Sequence, residues 1–404
     1  MNPAFRWYLG GVGSWFAGYG MASILFPWLV AVVLHESPQR LGLAQLALLG
    51  PSVAFLLFGG AAADRADCRA LLVRYHLVAL LPPLGLGIAI LTDVARYPIV
   101  LAYGMALGTL SAFIMPARDA LLTRIVTGDL PRAVAMMTAT QFVFQLGGIA
   151  LAGAAGRIGA IPLLAVQALI LGVGAATAWQ LRPAPPLRTE HGESRLAAIS
   201  EGLRAVVSSP SIFPIVLAIA AVGLFYVGAF VVVVPLLVRD AYAGGAGELA
   251  IVNFCFWGGT VTATLAQVRR RAIDRPGRAI FLTLTLGAVI LAAMALPTTF
   301  GTFAALNALW GVGAGITMTQ ARTIAQLAAP APQRARVLAV FQFGMLGGSA
   351  LGAVLMGYLV GAVGPRSAPI YPALAMAVVL VWLAARSGLW HQEALTSPAD
   401  ARVG

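Results

Sequence analysis

The amino-acid sequence predicts an all-α membrane protein with twelve transmembrane helices in two six-helix bundles. Composition gives the class. The 404 residues are 60% hydrophobic and 10% charged, and mean hydropathy is +0.89. A soluble chain would carry about 25% charged residues. Apolar runs of about 20 residues recur along the sequence, the length of a helical span. The short alternating segments of a membrane barrel are not seen. The third observation is a repeat. The charged turn Asp64-Arg65 lies between two apolar stretches, and Asp274-Arg275-Pro276-Gly277-Arg278 stands in the same setting later in the chain.

The expected spans cover 7–34, 41–63, 70–91, 98–121, 133–155, 161–181, 211–238, 248–267, 279–297, 302–327, 337–361 and 369–386. Residues 1–181 form the first bundle and 211–386 the second. The stretch 387–404 is a cytoplasmic tail, polar enough to read as disordered. The first apolar stretch is too long for a signal sequence and reads as a span. Pro and Gly inside spans are tolerated because neighbouring helices satisfy the freed backbone groups.

Residues 182–210 form the longest loop, a cytoplasmic linker. Leu196, Ile199, Leu203, Val206 and Val207 recur at helical spacing opposite Arg195, Glu201 and Arg204. This predicts a short amphipathic helix on the membrane surface.

Net charge is +12, all of it from arginine, since the chain has no Lys. The arginines lie between spans rather than on one soluble face, so the charge reads as topology and not as nucleic-acid binding. Arg40, Arg96, Arg157, Arg239 and Arg366 fall on one side, and Arg118 and Arg322 fall inside spans. The other 19 of the 26, Arg270 and Arg271 among them, share the side of the termini. The positive-inside rule then places both termini in the cytoplasm of a multi-pass protein of the bacterial inner membrane.

Further matches support duplication. Pro27-Trp28-Leu29-Val30 recurs as Pro235-Leu236-Leu237-Val238, Tyr103-Gly104 as Trp310-Gly311, and Leu146-Gly147-Gly148 as Leu346-Gly347-Gly348. Ala117-Arg118 recurs as Ala321-Arg322. Their shared order points to a parallel repeat of six spans, the architecture of a secondary transporter with its site near the midplane.

The turn Gly60-Ala-Ala-Ala-Asp64-Arg65-Ala-Asp67-Cys68-Arg69 resembles the signature of the major facilitator superfamily, Gly-x-x-x-Asp-Arg-x-Gly-Arg-Arg. Gly60, Asp64, Arg65 and Arg69 match, and Asp67 and Cys68 depart from it. Pro116-Ala117-Arg118-Asp119-Ala120-Leu121 and Gly202-Leu203-Arg204 resemble the branch of enterobactin exporters and macrolide-efflux proteins. The resemblance implies the major facilitator fold and alternating access. It also implies a conformational latch formed by Gly60, Asp64, Arg65, Arg69, Arg118 and Asp119, facing the eleventh helix of the opposite bundle. Charges at a membrane border need partners or water. Arg65 is therefore expected to pair with Asp119.

Mid-span aromatic and amide residues are candidates for a substrate cavity: Trp15, Tyr19, Tyr103, Gln141, Gln145, Tyr226, Asn307 and Trp310. Most membrane aromatics only pack or anchor, so the set carries more than its members. An aromatic, amide-lined cavity suits a bulky amphipathic molecule. The stripes Gly148-Ala152-Gly156 and Gly344-Gly348-Gly352 allow close helix contact, expected between the bundles.

No Asp or Glu lies near the centre of a span. His76 is a possible titrating group, though a lone His is more often structural. Coupling to protons is what the resemblance implies, with Asp119 as the carrier. Two cysteines, Cys68 and Cys255, give no pattern for a disulfide or metal. There is no phosphate loop, zinc motif or nucleophile elbow, so no enzyme and no cofactor is expected. The expected function is export of a small organic molecule such as a siderophore or macrolide. The alternative is import of a sugar or organic acid, which mid-membrane charges would favour. The expected partners are the substrate, membrane lipid and protons, and one chain suffices.

Overall fold

The computed structural model describes residues 3–126, 129–183, 195–269, 273–296, 299–330 and 333–391. The expected positions of Arg270, Arg271, the linker stretch 184–194 and the tail 392–404 lie outside the described residues.

The described residues are almost entirely helical. Ten helical stretches among them are long and apolar enough to cross a membrane. These are Pro3–Val33, Cys68–Leu91, Tyr97–Ile125, Arg132–Ile158, Ala160–Trp179, Phe213–Tyr242, Ala246–Gln267, Pro276–Met294, Phe300–Ala328 and Arg336–Val363. The second span is a pair, Pro38–Ala54 and Leu56–Arg65, bent by 42° at Phe55. Pro51 sits one turn before the bend and lacks the N–H that would hold the preceding turn. The twelfth crossing is the 17-residue apolar helix Ile370–Arg386. Apolar side chains face outward along the spans: Leu91 is 71% exposed and Val381 70%. On a soluble protein such a surface would drive association. Here it meets lipid.

Local chemistry sets the ends. Ser37, Asp67, Asp129 and Thr299 each accept a hydrogen bond from a backbone N–H of the helix they start. These satisfy donors that the first helical turn leaves open. Pro82 and Pro83 interrupt the third span, which runs as Cys68–Val78 and Leu81–Leu91.

The chain forms two compact units. The first is Met1–His191 with Val238–Phe254, and the second is Gly192–Leu237 with Cys255–Gly404. The segment Val238–Phe254 joins the first unit through specific contacts. Arg239 Nη1 donates to the carbonyls of Ala31 at 3.0 Å and Glu36 at 3.3 Å. Its Nε and Nη2 pair with Asp240 at 2.5 and 2.9 Å. The Ala31 carbonyl is available because the first span ends in a π-helical turn, Leu29–Val33. The backbone donors that follow go elsewhere, Leu34 N–H to Leu29 and Glu36 N–H to Val30.

Glycines let the helices of each unit touch backbone to backbone. In the first unit, Gly20 sits against the Gln145 carbonyl and Gly148 against the Ala17 carbonyl, joining the first and fifth spans. In the second, Gly223 sits against the Met345 carbonyl and Gly348 against the Ala220 carbonyl, joining the seventh and eleventh. Gly59 and Gly108 join the second span to the fourth as Gly259 and Gly311 join the eighth to the tenth. The small-residue stripes therefore pack inside their own unit, which corrects the expectation of a bundle-to-bundle role. Gly156 of the fifth-span stripe faces open space.

The linker contains the helix Arg195–Val207. It docks on the start of the eleventh span, where Gly202 lies against the Arg336 backbone and Glu201 pairs with Arg336. Val206 is buried, while Leu203 and Val207 are more than half exposed. Val206 on one side and Leu203 and Val207 on the other thus meet different surroundings.

Candidate functional site

The signature turn folds as helix end, N-cap and helix start. Asp67 Oδ1 accepts from the backbone N–H of Arg69 at 2.8 Å and Ala70 at 3.3 Å. This explains an Asp where the signature has Gly: the residue caps the third span. The Arg69 guanidinium lies 5.0 Å over the Trp179 ring and donates to the Trp179 carbonyl at 2.7 Å. The second unit repeats the arrangement with Arg278 5.4 Å over Trp390.

Asp64 and Arg65 are exposed and form no hydrogen bond or ion pair among the described residues. The expected Arg65–Asp119 pair is not made. Asp119 instead receives Arg118 Nε and Nη2 at 3.0 and 2.7 Å. At this end a tether from the fourth span to the second is Arg124, whose Nη2 donates to the Ala63 carbonyl at 3.2 Å. A cation on the last carbonyls of a helix is favourable. Arg124 was not singled out by sequence, although its place one turn beyond Ala120 is a usable signal. Gly60 has no neighbour where a Cβ would stand, so the close approach falls to Gly59, on the Ala112 carbonyl.

The cavity candidates separate by unit. In the first, Tyr103 is buried and donates to Gln167 Oε1 at 3.0 Å, while Gln167 Nε2 donates to the Gly18 carbonyl at 2.9 Å. That network ties the fourth, sixth and first spans and occupies the Tyr103 hydroxyl. Trp15 is buried edge-on to His76, with centroids 6.0 Å apart. Tyr19 and Gln141 are half-buried and Gln145 is buried. Neither glutamine makes a hydrogen bond among the described residues, so both amides keep their capacity for a ligand.

In the second unit, Tyr226 and Trp310 form one edge of an aromatic cluster, 5.8 Å between rings. Phe230 and Phe256 lie 4.3 Å apart, and both meet Trp310, at 6.0 and 5.6 Å. Trp257 packs on Phe256 at 5.6 Å. Sequence reading missed Phe230, Phe256 and Trp257, although the Phe256-Trp257-Gly258-Gly259 run advertises aromatic groups beside a close approach. Two π-helical segments, Val222–Val227 and Ala229–Val233, carry Tyr226 and Phe230. Such segments occur often at functional sites. Tyr226 donates to the Leu284 carbonyl at 2.5 Å. Asn307 Nδ2 donates to the Phe303 carbonyl, and its Oδ1 is buried without a partner. Among the described residues no group of His, Cys, Asp and Glu could hold a metal ion.

Residues 4–402 match the family described as transmembrane secretion effectors. The chain belongs to this family of major facilitator transporters. Solved transporters share its fold. The nucleoside transporter NupG has 12% identity and TM-score 0.73, covering 96% of this chain and 99% of that one. A POT family transporter in complex with 5-aminolevulinic acid has 11% identity and TM-score 0.72, covering 96% of each chain. A bacterial homologue of the human lysosomal transporter Spinster, inward-facing and unoccupied, has 15% identity and TM-score 0.64, covering 96% and 97%. No curated protein matches the sequence. The family match gives the transport class, and the solved structures share the fold.

Proposed function

We propose that this transporter exports a small amphipathic or aromatic molecule, of the siderophore or macrolide kind, from the bacterial cytoplasm by alternating access coupled to protons. The observation that carries the reading is the match to a secretion family over 4–402. The arginine bias supports cytoplasmic termini in the inner membrane. The groups offered to the substrate are Tyr19 and the amides of Gln141 and Gln145 in the first unit. In the second they are the aromatic cluster around Trp310. Ring faces with a few hydrogen-bonding groups suit a bulky, partly aromatic ligand. The latch comprises Gly60, Asp64, Arg65, Arg69, Arg118 and Asp119. Its exposed members Asp64 and Arg65 are the ones left to make contacts that change between states.

The test is comparative metabolite profiling of medium and cell extract from a deletion strain and its complemented parent, with and without iron. Export predicts a compound missing from the mutant medium and accumulated in its cells. Accumulation only under iron limitation identifies a siderophore. A compound depleted inside the mutant cells while it persists in their medium would overturn export in favour of import.

A further inference from the structure

The two units start matched helices in opposite ways. The third span begins at Cys68, and its N-cap Asp67 accepts from the backbone N–H groups of Arg69 and Ala70. The ninth span begins at Pro276, and its N-cap is Arg275, whose side chain caps nothing. Pro276 has no N–H to satisfy. The N–H groups of Gly277 and Arg278 make no hydrogen bond among the described residues, and the first helical bond runs from Ala279 N–H to the Arg275 carbonyl. Open donors at the positive end of a helix dipole favour an anion.

The side chains around this helix start carry charge without a counterion. Arg278 stacks over Trp390 and makes no hydrogen bond or ion pair among the described residues, and its Nε is buried. The matched Arg69 also has a buried, unpartnered Nε, but it spends Nη2 on the Trp179 carbonyl. Trp390 lies in the turn Gly388–His391 after the twelfth span and is held edge-on to Phe281, with ring centroids 5.6 Å apart. Arg386, the last residue of the twelfth span, is exposed, as is Arg275. Asp274 is the only acidic residue between Ile273 and His391, and it is exposed and forms no ion pair among the described residues. In the first unit a carboxylate of the chain fills the helix start. In the second, donors and cations converge on a start that holds no acceptor.

We propose that the start of the ninth span binds the phosphate of an anionic phospholipid headgroup, which takes in the second unit the place that the Asp67 carboxylate holds in the first. Phosphate oxygens accept from the N–H groups of Gly277 and Arg278 and from the Arg278 guanidinium, a group whose planar donors match phosphate. A free phosphate offers the same oxygens, but the surroundings select a lipid. Leu374, Val378 and Trp382 lead to Arg386 at four-residue spacing along the twelfth span, and all three are exposed. On the ninth span the exposed Leu282 and Val289 lead away from Arg278. A headgroup seated at the helix start therefore has apolar surface under its chains, the arrangement of a basic lipid site at a membrane border. No substrate and no direction of transport enters, so the site stands or falls apart from the export reading.

The experiment titrates the full-length protein in detergent with phosphatidylglycerol, phosphatidylcholine or inorganic phosphate and counts bound adducts by native mass spectrometry. The wild type should fill one tight site with phosphatidylglycerol ahead of phosphatidylcholine, and inorganic phosphate should not compete at matched concentration. Arg278→Gln should weaken the site about tenfold or more, as loss of a charged hydrogen bond implies. Arg275→Asp should abolish it by supplying an internal carboxylate. Arg275→Gln, which removes the charge without adding an acid, should bind more tightly than Arg275→Asp. Arg74→Gln removes an exposed charge from the first unit and should leave the affinity unchanged. Equal affinity for the two lipids, an unmoved affinity in Arg278→Gln, an equal loss in Arg74→Gln, or Arg275→Asp binding as tightly as Arg275→Gln would overturn the proposal. Competition by inorganic phosphate at matched concentration would overturn the lipid as the occupant.

Discussion

Two neighbouring glycines in the second span have opposite meanings. Gly60 belongs to the signature turn, yet a Cβ there meets nothing, while Gly59 rests on the Ala112 carbonyl. Gly59→Ala should destabilise by about 1–3 kcal/mol, because backbone cannot move aside as a flexible side chain can. Gly60→Ala should leave the melting temperature within error. Thermal unfolding of the two purified variants decides this, and equal effects would contradict the assignment. Asp67 offers a second comparison. Asp67→Ala should cost about 1 kcal/mol as a lost N-cap, and Asp67→Asn much less. If both variants melt alike, the cap is not what Asp67 contributes. Sequence could locate these residues but could not rank them. Which glycine of a pair faces the neighbouring backbone depends on helix rotation, and the apolar spans carry no polar face to set it.

At the level of elements, the seventh span is the least regular, with π-helical turns through its middle and an arginine at its end. Arg239 fastens that end to the carbonyls of Ala31 and Glu36. Arg239→Gln should therefore speed backbone hydrogen exchange in Val238–Phe254 by an order of magnitude or so, as a lost charged hydrogen bond of about 1.5–3 kcal/mol implies. Unchanged exchange there would show that the segment is held by packing alone. Span order and approximate span limits were legible because length and hydropathy suffice for them. The π-helical turns and the bend at Phe55 were not. They arise where tertiary contact overrides the local backbone preference, and a window of apolar residues looks the same wound either way.

For the whole molecule, the repeat read from short sequence matches is also written in the packing. The first and fifth spans meet as the seventh and eleventh do, and Arg69 over Trp179 has its counterpart in Arg278 over Trp390. Gly148→Val and Gly348→Val should thus lower the yield of folded protein to a similar degree, measured by size-exclusion of solubilised membranes. A large difference would mean that the two seams are not equivalent. The candidate site was legible only in part. Trp310 and Tyr226 were found as mid-span aromatics, and the structure adds Phe230, Phe256 and Trp257 around them. Tyr103 and Gln145 show why type and depth are insufficient: one hydroxyl is spent on Gln167, while the other residue's amide remains open.

The glycine seats have a consequence for genetics. A seat on a carbonyl accepts no alternative residue, whereas an open glycine such as Gly147 or Gly347 accepts many. A saturation-mutagenesis map of this chain should therefore show narrow columns of intolerance, several of them, such as Gly148 with Gly348 and Gly59 with Gly259, answered by a partner column in the other half of the gene. Read by someone who had never seen the coordinates, that map would disclose the ancestral duplication from its blank columns alone.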